Sequence, residues 1–354
     1  MVPKTSKTFF VFEKKGILCE KPLKMPAPGP YYPCLVSMDE IDDFPFDYAL
    51  YFSTDHHKRR GGIWLYLCNG IPSNPENWKS YDQAVLDGDF NYLTDKPKDN
   101  PIFVDRIQGR RHTETPHVNI VNGKAYMTYH HGGLLGLWQK TLLATSPDGI
   151  NFKRINGSKN SVILKARGNG GHTGYFRWAT NPFHRVEYEY IGYSLHGGGK
   201  NYHSAMWGSN NARKWDKVHI FTPKEGFAMK DKNMIMIWHE INPNAVKRIG
   251  DDEYVLISAG GNRASRGEER IVKLFEIFLA GDGKTLTRES REILPNDSSD
   301  FPDDEEAAEP TMVQVGNTWH LIYIGTTDKA KRNTIMTATG IFNPNAKPSK
   351  KLTY

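Results

Sequence analysis

Cysteine is scarce, long apolar runs are missing and helical periodicity is nearly absent. The 354 residues include three cysteines, Cys19, Cys34 and Cys68. An odd number without C-x-x-C spacing excludes a disulfide framework and a zinc finger, and reads as reduced, buried thiols. No stretch approaches the ~20 apolar residues of a membrane-crossing helix. Phe9–Phe12 is the only early apolar run and Glu13-Lys14-Lys15 ends it, so no Sec-type signal is read. The expected location is the cytoplasm or that of a virus-encoded protein, with secretion by another route left open. Charge of one sign is scarce too. Lys and Arg number 46 against 40 Asp and Glu, a net +6 spread along the chain. That mildly favours an acidic partner and supplies no basic, aromatic-interleaved stripe for nucleic acid.

Turn formers and aromatics are plentiful, with 32 Gly, 21 Pro and 12% aromatic residues. This composition excludes disorder and collagen and suits many short strands. One pattern recurs five times, a proline opening a β-rich run that leads to a second, aromatic-rich run. The copies are Tyr31-Tyr-Pro-Cys-Leu-Val, Glu114-Thr-Pro-His-Val-Asn-Ile, Thr180-Asn-Pro-Phe, Ile241-Asn-Pro-Asn-Ala-Val and Ala308-Glu-Pro-Thr-Met-Val. Their prolines, Pro33, Pro116, Pro182, Pro243 and Pro310, stand 61 to 83 residues apart, room for about four short strands each. Four-stranded units repeated around an axis make a β-propeller, because each small sheet buries its faces only against its neighbours. The fold expected is all-β, a single five-bladed propeller over 1–354, with inner strands near 31–37, 114–121, 180–186, 241–248 and 308–315. The fifth copy runs out after three strands, so the segment from Lys7 to Glu13 is expected to supply its outer strand and close the ring. A β-sandwich or two separate β domains is the competing architecture.

In a propeller, inner-strand starts and the loops between second and third strands meet on one face around the axis. His112, Glu114, Arg177, Trp178, His239, Glu240 and Glu309 lie at such starts, while Asp55, His56, His130, His131, His196 and Arg263 lie on such loops. A gathering of histidines and carboxylates points to proton-transfer chemistry more than to packing. Glu114, Glu240 and Glu309, with His112 and His131, are the candidate catalytic residues. Asp55, His56, His130, Tyr175, Arg177, Trp178, His196, His239 and Arg263 are the candidate substrate-binding residues.

Glu114-Thr-Pro-His-Val-Asn-Ile-Val-Asn-Gly-Lys-Ala-Tyr-Met-Thr-Tyr resembles the acid-bearing blade of five-bladed glycoside hydrolases related to families 43, 32 and 117, and Arg177-Trp-Ala-Thr-Asn-Pro is similar to a Trp-Ala-Pro blade opening in that group. The resemblance implies a glycoside hydrolase acting on an oligo- or polysaccharide. Glu114 would be the general acid, with Glu240 or Glu309 as base or partner. Two departures stand out. Tyr31-Tyr32-Pro33 occupies the place of the family 43 general-base Asp, and Asn181 stands where the third copy would carry a carboxylate.

Other readings remain. His112, Tyr129, His131, Tyr175 and Arg177 are similar to the equipment of β-propeller polysaccharide lyases, which need a base and a cation beside a uronate. A glycan-binding propeller without catalysis is a third possibility. No cofactor is required by either chemistry. A central divalent ion, calcium or zinc, is the one candidate, with His112, Glu114, His131 and His239 as a mixed nitrogen and oxygen donor set. The sequence assigns no metal residue outright, and the partner expected is a sugar chain, without nucleic acid or membrane.

Overall fold

The structure is a computed structural model that describes residues 7–352 except 20–21, 23, 27–28, 55–60, 108–109, 133–138, 156–160, 166–170, 199–200, 222–224, 226–237, 243, 262–271, 295–300, 304–305 and 328–331. Side chains of strand residues 106–107, 110–111, 198, 201–202, 238, 261, 327 and 332 also lie outside the description. Asp55, His56 and Arg263, named above for substrate binding, therefore lie outside the described residues. No described helix is long and apolar enough to cross a membrane. The three cysteines are buried and free.

The chain is all-β, and its described strands form sheets of nine, ten, four and two strands in which antiparallel units follow one another along the chain. In the first, Pro30–Ser37, Tyr48–Thr54, Ile63–Cys68 and Trp78–Ser80 follow one another across a sheet. In the second, Thr113–Val121 pairs with Lys124–Gly132 and that with Gln139–Ser146, whose outer edge takes Lys153–Arg154 and Val162–Leu164. The third is Arg177–Thr180, Tyr190–Gly198, Asn201–Ser209 and Asp216–Ile220. In the fourth, Trp238–His239 and Lys247–Gly250 share the edge of Glu253–Gly261, followed by Val272–Ala280 and Arg291–Glu292. The fifth is Glu306–Val315, Thr318–Thr327 and Arg332–Phe342. Its outer edge is the N-terminal strand Phe10–Cys19, paired antiparallel from Phe10↔Phe342 to Cys19↔Ile335.

Apolar positions of one meander face the next, so the core lies between sheets. Leu65 and Tyr51 meet Met127, Tyr129 and Leu142 between the first and second units. Leu50 and Phe52 meet Ile322 and Ile324 between the first and fifth. Comparable clusters join second to third, third to fourth and fourth to fifth. Hairpin turns are built by carboxylate or amide side chains that collect backbone N–H groups. Asp148 Oδ1 accepts from Ile150 N at 2.9 Å and Asn151 N at 2.7 Å. Asn211 Oδ1 accepts from Arg213 N and Lys214 N in the corresponding turn of the third unit.

Two inner strands depart from the expected bounds. The third is Arg177–Thr180 rather than 180–186, because Asn181 Nδ2 donates to Val186 O and Tyr188 O while its Oδ1 accepts from Phe183 N. A side chain that captures backbone groups in this way competes with a ladder, and Pro182 has no N–H to give one. The fourth, expected over 241–248, is split into Trp238–His239 and Lys247–Gly250 by a turn in which Ala245 N donates to Asn242 O. The sequence reading also passed over a short helix, Tyr81–Asp87. Ser80 caps it by accepting from Gln83 N, and Gly88 at φ 85° ends it.

Candidate active site

Three inner strands open with the same irregularity. Register shifts fall between Tyr31 and Cys34, between Glu114 and His117, and between Ala308 and Thr311. In each, the residue just before a proline is left-handed, Tyr32 at φ 55°, Thr115 at φ 54° and Glu309 at φ 57°. Tyr175, ahead of the third inner strand, is also left-handed at φ 56°, though no proline follows it and the ladder there is regular. Non-glycine residues held there cost of order 1–3 kcal/mol each and concentrate at functional sites. The proline following each bulge has no N–H to lose from the ladder.

Strand heads of the first three units wall a small cavity, with room for about one water, lined by Tyr32, Thr115, Pro116, His117, Tyr175, Phe176 and Arg177. The rings of Tyr32 and Tyr175 lie 5.0 Å apart. Tyr32 N donates to Glu309 Oε2 at 2.5 Å. Burial, then Tyr175, Glu309 and Glu114, hold the Tyr32 phenol well above its ordinary range. It stays protonated.

Beside the cavity is a tight group. Glu114 Oε1 lies 2.8 Å from His130 Nε2 and 3.4 Å from His112 Nε2, and the two Nε2 atoms are 2.9 Å apart. Strand parity explains the convergence. His112 and Glu114 are two residues apart and share a face, and Glu114 stands directly opposite His130 across the hairpin. On its far side His130 Nδ1 is 3.0 Å from Thr115 Oγ1. His172 lies 5.2 Å from His130, ring to ring, and stacks on Tyr175 at 5.2 Å with a 3° interplanar angle. Among the described residues, the donor atoms of His112, Glu114 and His130 form a group lying wholly within 4.8 Å, and neither His131 nor His239 belongs to it.

Arg177 and Glu240 sit under the cavity. Arg177 Nη1 donates to Pro310 O, Nη2 donates to Pro33 O at 3.4 Å, and Nη1 lies 3.7 Å from Glu240 Oε2. Glu240 Oε1 accepts from Asn242 N at 2.6 Å and Oε2 from Met312 N at 3.1 Å. Burial pushes the Glu240 carboxyl up to about 7 against the pull of Arg177 and of these N–H donors. Both groups spend their polar atoms tying units together.

The remaining candidates are more dispersed. Trp178 is fully buried against Tyr190 and Trp215, and its carbonyl accepts from His117 Nε2 and Asn119 Nδ2, both at 2.7 Å, so its ring is packing and not a sugar platform. His239 is buried edge-on to Tyr193 with Nδ1 3.0 Å from Ser258 Oγ, and burial followed by Arg177 holds it down at about 3. His196 is half-buried against Trp207. His131 is buried opposite Thr113, its ring 6.2 Å from that of His112. Sequence reasoning missed Tyr32, Thr115 and His172. The first two were detectable, since Tyr32, Thr115 and Glu309 occupy the same pre-proline place in three repeats.

No protein-family model and no curated protein matches this chain. Solved structures do. An N-acetylgalactosamine deacetylase from F. plautii, solved with blood group B trisaccharide, aligns at TM-score 0.58 and 11% identity over 95% of this chain and 97% of its own. The endo-arabinase of Bacteroides thetaiotaomicron aligns at 0.55 and 9% over 94% and 100%. A protein from the GH130 family of mannoside phosphorylases, which contains glycoside hydrolases targeting β-1,2 mannosidic linkages in Candida mannan, aligns at 0.54 and 12% over 100% and 98%. The chain has the fold of β-propeller glycoside hydrolases.

Proposed function

We propose that the protein is a carbohydrate-active hydrolase whose site is the cavity between Tyr32, Tyr175 and the Glu114 group. The observation that carries this reading is the convergence of Glu114, His112 and His130 beside a tyrosine-walled cavity, at the bent strand heads of a fold whose solved examples act on sugars. The five meanders are read as five blades of one domain, closed into a ring by Phe10–Cys19. Support comes from the pairing of that strand with the fifth unit and from the apolar cores joining each unit to the next and the fifth to the first.

Hydrolysis of a glycosidic bond adds water across it, with one group handling the water's proton and another the leaving oxygen's. Glu114 and Glu309 are assigned these two roles, Glu114 from its place beside His112 and His130 and Glu309 from its bond to Tyr32 N at the cavity wall. Glu240 is assigned to support, because both its oxygens take backbone N–H groups. Tyr175 and Tyr32 pack on each other to form the aromatic wall of the cavity. The lyase alternative needs a free cation beside the substrate carboxylate, and Arg177 is committed to Pro33, Pro310 and Glu240.

The test is a panel of neutral, uronate-containing and N-acetylated oligosaccharides, followed for new reducing ends, for absorbance near ~235 nm from unsaturated uronates, and for released acetate. New reducing ends or acetate are expected. A rise in absorbance alone would replace hydrolysis by elimination, and silence in all three channels would overturn the enzymatic reading.

Gly174→Ala tests the position of the site. A Cβ there would lie 2.6 Å from His172 Cε1 and 2.9 Å from His130 Cγ and Nδ1. Displacing catalytic rings by part of an ångström is expected to lower kcat on the order of 10²-fold with the far-UV circular dichroism unchanged. A fully active Gly174→Ala protein would place the chemistry elsewhere.

A further inference from the structure

Resting on the same site, we propose that His112, Glu114 and His130 hold a divalent transition-metal ion of zinc-like preference. Three donor atoms with edges of 2.8, 2.9 and 3.4 Å face one point. At metal–ligand bonds of about 2.0–2.1 Å, neighbouring ligand atoms stand about 2.9 Å apart in an octahedron and about 3.3 Å apart in a tetrahedron. Hydrogen bonding serves such a triangle poorly, because an imidazole Nε2 has one in-plane direction and cannot aim well at two partners. An ion at the centre serves all three.

The surroundings fit a ligand set. A metal-bound imidazole usually engages an outer partner through its other nitrogen, which fixes tautomer and ring plane. His130 Nδ1 has Thr115 Oγ1 at 3.0 Å, on the left-handed residue that makes the bulge. Room for the His112 ring depends on Gly132, where a Cβ would come 2.4 Å from His112 Nδ1. His130 is fully buried and Glu114 nearly so, with His112 at 12% side-chain exposure, so the group has a closed back and one more open corner. Among the described residues three protein ligands meet here, and three protein ligands are the number that catalytic zinc sites use.

Donor chemistry selects the ion. Two imidazole nitrogens and one carboxylate oxygen suit zinc and its first-row neighbours. Calcium takes six to eight oxygens, so the calcium option is dropped. The bound ion would supply Lewis-acid polarisation beside the cavity. Glu114 then acts as ligand, and Glu309 remains as the nearby carboxylate that handles a proton.

The full-length protein, stripped with a chelator and dialysed, is titrated with Zn²⁺ by calorimetry and with Co²⁺ by visible absorption. One equivalent per chain is expected, with ligand-field bands of cobalt bound by imidazole. His130→Ala and Glu114→Gln are each expected to weaken binding by on the order of 100-fold, while His184→Ala, at a half-exposed histidine in a loop of the third unit, binds as the parent does. If His130→Ala fails to fold, the near-isosteric Glu114→Gln carries the comparison. Binding below a tenth of an equivalent, or unchanged affinity in Glu114→Gln, overturns the proposal. Running the sugar panel with and without metal separates the two readings. Turnover by metal-free protein that also binds no Zn²⁺ overturns the metal alone, and stoichiometric binding without any product overturns the hydrolase alone.

Discussion

Glu114→Gln is expected to lower turnover of the best panel substrate by on the order of 10²–10⁴-fold, whether the carboxylate transfers a proton or holds an ion that polarises the substrate. The substitution keeps volume and removes charge. One end of the amide is an NH₂, and it must face either the two imidazoles or the opposite side, where the carboxylate had an acceptor in both directions. Glu114 is 2% exposed and its Oε1 meets His130 at 2.8 Å, so no solvent rearrangement can replace the lost oxygen. KM is expected to change little, because the apolar walls of Tyr32 and Tyr175 are untouched. Steady-state kinetics with a thermal melt checks this. A kcat within threefold of the parent would remove Glu114 from the chemistry.

Arg177→Met is expected to leave the chemistry's ligands in place and destabilise the fold by about 3–5 kcal/mol, since it strands a buried carboxylate. For a chain of 354 residues that is about 4–7 °C in Tm. Arg177 reaches Pro33 of the first unit, Pro310 of the fifth and Glu240 of the fourth from its own place in the third. The pH dependence has a definite sign. The Glu240 carboxyl is held at about 7 in the fold against an ordinary 4.5. The folded state therefore retains a proton that the unfolded chain releases, and stability falls as pH rises from about 4.5 to about 7. Without the guanidinium the folded carboxyl moves higher still. Arg177→Met should thus be closer to the parent at pH 5 than at pH 8, and adding Glu240→Gln should recover part of the loss at pH 8. Denaturant melts at both pH values measure this, and an equal loss at both would show that Arg177 does not compensate Glu240.

Much of the architecture was legible because it repeats. A proline-led strand followed by an aromatic strand, five times over, reports strands that need neighbours, and the all-β structure is built of successive antiparallel pairs. The early apolar segment does pair with the last strand, as a fifth copy short of one strand requires. Where the reading slipped, at Pro182 and over 241–248, local side-chain hydrogen bonds and turns displaced a ladder that strand propensity alone would continue. The helix Tyr81–Asp87 was missed because seven residues are too few to show a helical period.

The candidate site shows the division most sharply. The residue types were determined by the sequence, since His112, Glu114 and the His130-His131 pair flank a hairpin that turns at Asn122-Gly123. Counting back from that turn, an unbroken hairpin would set Glu114 opposite His131. The structure sets it opposite His130, because one extra residue is taken up beside Thr115, which sits at φ 54° ahead of Pro116. A single-residue bulge exchanges the faces of a strand, so it alone decides which histidine joins Glu114. The burial of Arg177 against three other units has the same origin. A sequence can name a guanidinium and a carboxylate, but whether they meet each other or a substrate depends on how separate sheets come together around a common centre.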